Sequence, residues 1–291
     1  MKMIDRTIMC KGRGDTFSLY VLGDCHIGNR NCAESHIRRL VKKIALDKRA
    51  YWIGGGDYCE CIAPQDIRFS HDTLPDWILS GDADTTRGKL RDITSQQVNR
   101  FVEMTSGIST QCLGLVEGNH ERKIRIRDNV DVQARLCRKL GVSDLTGSAF
   151  IRLKFKRGGS GIVIKIFITH GMGGGRTAGA EPNHLQKLCN FIDADIILRG
   201  HSHTFIIAEP KAMLSVPSVG ALPKELIAKY KRSANWGCWV RSYATGPSTY
   251  DEVANYPARS LSTVEITMQP HKSTTHGSAR PGEISMKELT V

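Results

Sequence analysis

Long hydrophobic runs are missing from the sequence. No stretch of 18 apolar residues occurs in its 291 positions, which excludes an apolar membrane-spanning helix. Disulfide and zinc-ribbon spacings are missing too. The nine cysteines are odd in number and include no C-x-x-C pair, so they read as reduced thiols, with Cys59 and Cys61 expected in the core. No G-K-[ST] triplet follows a glycine-rich stretch, which excludes a Walker A phosphate loop. The opening MKMIDRTIMCKGRGD has neither an uninterrupted apolar segment nor a small-residue cleavage site, and the expected setting is cytoplasmic.

Negative charge is in short supply. Against 41 Lys and Arg stand 29 Asp and Glu, a net charge of +12 that favours an anionic partner, nucleic acid first. Residues 121–157 hold eleven Lys or Arg and four Asp or Glu, so +7 of the +12 falls there and nucleic-acid contact is expected in that segment. A merely soluble basic surface is the competing reading. A hydrophobic fraction of 40% and a charged fraction of 24% fit a soluble domain with a sizeable core, and no internal repeat divides it. Oligomeric state is not written in these patterns.

Periodicity outlines a sheet with helices packed on it. Residues 16–22 (TFSLYVL) read as the first strand. From Ile37, the apolar Leu40, Val41, Ile44 and Ala45 fall on one helical face, and Tyr51 to Ile53 form a short strand ending in Gly-Gly-Gly-Asp57. Residues from about 61 to 110 read as an insertion containing a helix near Leu90–Met104, with Phe69 and Trp77 as anchors onto the core rather than base-stacking platforms. A strand from Cys112 to Val116, a helix through Val132, Leu136 and Leu140, and a hairpin over 149–156 and 162–169 follow. A helix near Leu185–Ile192 then leads to a strand from Asp195 to Leu198. KAMLSVPSVGAL, WGCWVRSY and SLSTVEITM look like further strands. One domain is expected over residues 1–268, with 269–291 a polar tail, flexible or pinned by a partner.

Five of these apolar strands end in polar motifs: GDCHIG, GGGDYCE, EGNHE, THG and GHSH. Asp24 and His26, two apart at a strand end, are expected to point the same way, as strand side chains do at every second position. Five of the ten histidines lie in these motifs, and the carboxyl ends of strands are where ligands gather in an open α/β sheet. Histidine, carboxylate and asparagine without thiolate suit Mn(II), Fe or Zn(II).

The ordered set D-x-H, G-D, G-N-H-[D/E], H, G-x-H resembles the calcineurin-like metallophosphoesterase superfamily over residues 23–203, in its compact bacterial and phage-type form. The resemblance implies a four-layer α/β/β/α sandwich of two mixed sheets flanked by helices, with a two-metal site at the strand ends. It implies that Asp24, His26, Asp57 and His203 hold one divalent ion and that Asp57, Asn119, His170 and His201 hold the other, Asp57 bridging. Mn(II) is favoured. Two ions ~4 Å apart clamp a phosphoryl oxygen and lower the pKa of a shared water, giving a bridging hydroxide for in-line attack. By the same resemblance His120 stabilises or protonates the leaving oxygen, and Glu121 is placed to orient that imidazole through a hydrogen bond; a purely structural hydrogen bond is the other reading of His120.

The stretch GMGGGRTAG follows His170 directly. Its backbone at Gly173, Gly174 and Gly175 and the guanidinium of Arg176 are expected to meet substrate phosphate, the alternative being a mobile loop with no substrate role. Asn183 and His184 read as helix-start residues. The expected activity is phosphodiester hydrolysis, with DNA or RNA as the leading substrate. A cyclic nucleotide, nucleotide or phosphoprotein is the runner-up, and a non-catalytic scaffold comes last.

Overall fold

The computed structural model describes residues 1–173, 175, 177, 179–215, 227–272 and 282–291. The chain lays down β1 (Lys2–Met9) and β2 (Phe17–Gly23), then crosses through α1 (Glu34–Leu46) to β3 (Ala50–Gly56). It passes through α2 (Asp76–Leu79), α3 (Ala83–Arg91) and α4 (Ile93–Thr105) before β4 (Cys112–Leu115). Helices α5 (Asn119–Asp128) and α6 (Val132–Leu140) precede the hairpin of β5 (Ser148–Arg157) and β6 (Ser160–Thr169). Then come α7 (Ala180–Phe191), β7 (Ile196–Arg199), β8 (Phe205–Ser215), β9 (Ile227–Trp236), α8 (Tyr250–Val253), β10 (Ser262–Gln269) and β11 (Glu283–Thr290).

Two sheets result, in the orders β1-β5-β6-β7-β9-β8 and β11-β10-β2-β3-β4. Both are mixed. β2, β3 and β4 run parallel in one, as do β6, β7 and β9 in the other, while β10 and β8 enter antiparallel. The parallel strands are apolar on both faces because both faces are covered, so β2 is buried at nearly every position. Leu19, Val21 and Ile53 of one sheet meet Ile151, Leu153, Ile166 and Ile168 of the other in the central core. On the outer face of the five-stranded sheet, Ile37, Leu40 and Ile44 of α1 and Val98 and Phe101 of α4 cover Tyr20 and Trp52. On the outer face of the six-stranded sheet, Leu188 and Cys189 of α7 cover Phe167 and Ile197. This is the expected four-layer α/β/β/α sandwich.

Three segments differ from expectation. β1 precedes what read as the first strand. It is an edge strand that pairs parallel with β5 and buries Ile8 among charged, exposed neighbours, so its apolar signal is thin. The 61–110 insertion is only partly additional, since α4 supplies Val98, Phe101 and Met104 to the core under β3. Its outer part closes on a small cluster of Leu74, Ile78 and Ile93, against which Phe69 and Trp77 pack as anchors.

The polar tail is the third correction. Residues 273–281 lie outside the described residues, but Glu283–Thr290 completes the five-stranded sheet against β10. Its alternation does the work: Ile284 and Met286 face the inter-sheet core, while Leu289 and Val291 pack on the helical side. Part of KAMLSVPSVGAL also falls outside the described residues, from 216 onward. Among the described residues no helix is long and apolar enough to cross a membrane.

A chain ended after residue 272 is expected to lose about 3 kcal/mol or more of unfolding free energy, because β10 becomes an open edge and the sites of Ile284 and Met286 empty. Urea denaturation of the two lengths checks this; equal midpoints would restore the tail reading.

Candidate metal centre

The parallel strands point their carboxyl ends to one place. β2 delivers Asp24 and His26, β3 delivers Asp57, and β4 leads to Asn119 and His120 in the first turn of α5. From the other sheet β6 ends at His170, and β7 leads to His201 and His203. Strand-like alternation is not what aligns Asp24 with His26, contrary to expectation. β2 stops at Gly23, and both residues adopt left-handed backbone with φ of 48° and 50°. Asp57, His201 and His203 do the same at 51°, 73° and 60°. Such conformations cost about 1–2 kcal/mol each outside glycine and persist only where surrounding contacts hold them. Here the loops hold each other: the backbone N–H of Asp24 donates to Gly56 O at 2.8 Å, and those of Cys25 and His26 to Asp57 O at 2.9 and 3.0 Å.

Two motif glycines have a steric reason. A Cβ on Gly118 would sit 2.1 Å from the Asp57 backbone nitrogen, so only glycine lets the G-N-H turn close on Asp57. A Cβ on Gly200 would lie 2.1 Å from the ring of Trp236. That buried indole passes beneath the G-H-S-H turn and donates from Nε1 to Asp24 Oδ2 at 2.6 Å.

The side chains form two groups joined at Asp57. In the first, His26 Nε2 lies 3.0 Å from His203 Nε2, which lies 3.3 Å from Asp24 Oδ1. In the second, Asn119 Oδ1 lies 3.0 Å from His170 Nε2 and 2.6 Å from His201 Nδ1. Asp57 Oδ2 stands between them, 3.8 Å from His26 Nε2 and 3.3 Å from His170 Nε2. Asp57 Oδ1 accepts the backbone N–H of His120 at 2.9 Å. All seven ligand candidates therefore come together.

Partners that can only accept fix the imidazoles. His170 Nδ1–H donates to Gly55 O at 2.8 Å, and His120 Nδ1–H donates to Glu60 O at 2.5 Å. The carboxylate of Glu60 takes His26 Nδ1–H at 2.9 Å. In all three rings Nε2 is left for the site, the arrangement that metal-ligating histidines show.

The electrostatics suit a cation. Asp24 and Asp57 are 0% and 2% exposed, and a buried carboxylate without counter-charge is costly. Burial alone would raise the Asp57 pKa, but His170 and His120 hold it well below the usual range; against the same burial, His203 lowers that of Asp24. Burial pushes His170 down, and Asp57 overrides it to about 9, so the carboxylate favours positive charge at this place. Burial and the neighbouring His170 push His201 down to about 4. Asp24 Oδ1 is buried with His203 Nε2 3.3 Å from it. Converging lone pairs, buried carboxylate oxygens and nitrogen–oxygen donor type together fit divalent metal. Asp24, His26 and His203, and separately Asp57, His170 and His201, bring one donor atom each within 4.8 Å of one another.

The calcineurin-like phosphoesterase family model matches residues 17–205, about two thirds of the sequence and every motif above. The chain belongs to that family. Membership supports metal-dependent hydrolysis of phosphate esters. No curated protein matches the chain. Among solved structures it is similar to the calcineurin-like phosphoesterase YfkN of Bacillus subtilis, at 10% identity and a TM-score of 0.44, over 94% of this chain and 90% of that one. It is also similar to zinc-complexed Vps29 of Entamoeba histolytica, at 12% identity and a TM-score of 0.35, over 94% and 99%. A third is the NAD nucleotidase of Haemophilus influenzae, at 11% identity and a TM-score of 0.39, over 94% and 49%.

Glu121 does not orient His120, as expected for it. Its carboxylate accepts the backbone N–H groups of Asp57 at 3.0 Å, Cys59 at 3.1 Å and Gly118 at 3.2 Å, which leaves it a support of the loops rather than a partner of the imidazole. Burial, aided by Asp57, pushes its carboxyl up to about 7. The His120 ring is held by Glu60, which the sequence analysis passed over. Glu60 stands three residues after Asp57, and that spacing was the available signal.

Also unforeseen is a buried polar tie between the loops of the six-stranded sheet. Arg199 binds Glu181 and donates to the carbonyl of Gly173 at 2.7 Å, and Asn235 joins Glu181 to Ser202, at 3.1 and 2.7 Å. Of the glycine-rich stretch, Gly175 lines the cleft, while Gly174 and Arg176 lie outside the described residues. Asn183 and His184 fall in the first turns of α7. Cys59 and Cys61 are buried free thiols; burial raises the pKa of Cys59, and the hydrogen bond with Cys59, followed by burial, raises that of Cys61.

Glu121→Ala leaves three buried amides without an acceptor and is expected to cost about 3 kcal/mol or more. Chemical denaturation measures this; a loss below about 0.5 kcal/mol would remove Glu121 from the support of Asp57.

Proposed function

We propose that this protein is a dinuclear metal-dependent phosphodiesterase with nucleic acid as its leading substrate. The observation that carries the reading is the place of Asp57 Oδ2 between the His26 and His170 groups, as a bridge between two ions requires. Asp24, His26, His203 and Asp57 would hold one ion and Asp57, Asn119, His170 and His201 the other, Mn(II) being favoured and Fe or Zn(II) suited to the same donors. When bound, such a pair polarises the phosphoryl group and supplies an activated water at neutral pH.

The chain's own residues do the rest. His120 sits edge-on to His26, with ring centroids 4.6 Å apart, and it lines the cleft. With Nδ1–H tied to the Glu60 carbonyl, its Nε2 is the atom that carries a proton to the leaving oxygen. Trp236 and Glu60 keep Asp24 and His26 from turning, through the hydrogen bonds to Asp24 Oδ2 and His26 Nδ1.

The site opens into a cleft of about 930 Å³, near the top of the range for small-ligand pockets and far more than one phosphate group fills. Together with the net charge of +12 this favours an extended anionic substrate over a compact one. A smaller nucleotide is the second reading. One observation favours it: in the basic segment 121–157, Arg125, Arg127, Arg152 and Lys154 are paired with carboxylates, and Lys123 is the member that lines the cleft.

Asp57→Asn is expected to abolish activity and lower bound metal from two ions toward none. His120→Ala is expected to keep its metal while kcat falls about 10²–10⁴-fold. Metal analysis and turnover of Mn(II)-loaded protein on a chromogenic phosphodiester and the matching monoester test both points. Wild-type activity in either variant would sink the assignment, and a monoester preference would replace phosphodiesterase by phosphatase.

A further inference from the structure

Beyond the candidate metal ligands, the cleft carries cationic side chains that have no acidic partner among the described residues. Arg259 is paired with Asp251 at 3.3 Å, and Arg68 with Asp66 at 2.7 Å, so both are largely neutralised. Arg30, Arg241 and Lys123 line the same cleft, and none of them is in an ion pair among the described residues. Arg30 and Arg241 are brought together by two hydrogen-bonded segments. Ala33 donates its backbone N–H to Trp239 O at 2.7 Å, Arg241 donates to Asn31 O at 3.0 Å, and Cys32 and Val240 form an isolated bridge. The same segment is tied to the site, since the Asn29 N–H donates to His26 O at 2.9 Å. Lys123 stands elsewhere on the wall, three residues after His120 in α5 and so on the same helical face.

Arg30 and Lys123 lie inside the matched family region of residues 17–205, whereas Arg241 belongs to the 237–261 connection between β9 and β10, beyond it. That connection is firmly built: Ser242 Oγ accepts the Arg259 N–H at 2.8 Å, and Tyr243 Oη donates to Tyr256 O at 2.5 Å. Two arginines on hydrogen-bonded neighbouring segments, Arg241 with its guanidinium anchored on Cys32 O at 3.3 Å, and a lysine elsewhere on the wall add charge that one scissile phosphate would not need if two divalent ions met it.

We propose that the wall carrying Arg30 and Arg241 forms a subsite for a second phosphate of the substrate, next to the phosphate that is cleaved, with Lys123 adding positive charge from elsewhere in the cleft. The inference rests on the phosphodiesterase reading and narrows its substrate to an ester that carries a neighbouring phosphate. A nucleotide strand and a nucleoside polyphosphate both offer that chemistry.

The test uses the full chain loaded with Mn(II) and three probes: a thymidine dinucleotide, the same dinucleotide with a 5′-phosphate, and thymidine diphosphate. Binding is read by competition against a fluorescent oligonucleotide, so that the result does not depend on turnover, and kcat/KM is measured in parallel. The 5′-phosphate is expected to tighten binding about tenfold or more, equivalent to one charge-assisted contact. The Arg30→Ala/Arg241→Ala and Lys123→Ala variants are expected to bring that ratio toward one and to reduce the salt slope by about one for each charge removed. Arg152→Ala, a charge control on β5 outside the cleft, should leave the ratio as it is.

A wild-type ratio near one, or a ratio that survives the cleft variants, overturns the subsite. Thymidine diphosphate competing as well as the phosphorylated dinucleotide supports the subsite and assigns it to polyphosphates, whereas weaker competition assigns it to strands. Absence of turnover on every ester, with the binding ratio intact, would overturn the phosphodiesterase reading and keep the subsite.

Discussion

The buried carboxylate of Asp57 is the point on which the rest of the site depends. Every polar atom of the residue is engaged: its N–H by Glu121, its carbonyl by the Cys25 and His26 amides, Oδ1 by the His120 amide, and Oδ2 by the rings of His26 and His170. These partners come from the loop after β2, from α5 and from the residue after β6, so one residue ties together segments of both sheets. Because it is 2% exposed, its charge cannot be left to water. The imidazoles crowd around it for that reason, and a divalent cation has a place there for the same reason.

The backbone accepts strain to make this crowding feasible. Five of the seven ligand candidates are non-glycine residues at φ between 48° and 73°, a cost that the central core and the loop-to-loop hydrogen bonds offset. The left-handed turns bend the chain so that residues immediately beyond strand ends look back over the sheet edge, and the closest approaches fall on Gly118 and Gly200. The positioning partners follow the same economy. Glu121 and Glu60 are both acidic and both close to Asp57, yet one supports backbone and the other supports rings.

The candidate metal ligands sit at or just beyond strand ends between two cores, and much of the cleft around them is built from connections. The cleft beyond them is walled by connections: residues 62–73 from the segment between β3 and β4, and 240–259 from the segment between β9 and β10. Such walls can vary without disturbing the strands, which is how one scaffold serves many phosphate esters.

The sequence alone determined the order of the polar motifs that carry the candidate ligands, most of the strands that lead to them and, through the resemblance those motifs carry, the class of fold, because these rest on local patterns: apolar runs, helical periodicity and polar motifs at their ends. The same locality explains its failures. β1 and β11 have too few apolar positions to announce themselves, and they become strands only because β5 and β10 offer edges to pair with. Segment 121–157 is basic in sequence, but its charges are distributed over α5, α6 and β5, and Asp5 and Asp66 from far along the chain, with Glu117 close by, cancel several of them. The roles of Glu60, Glu121 and Trp236 were likewise decided by tertiary structure, since a hydrogen-bond partner 60 or 212 residues away leaves no periodic trace. What a residue is follows from sequence; whom it faces follows from how two twisted sheets bring their strand ends together.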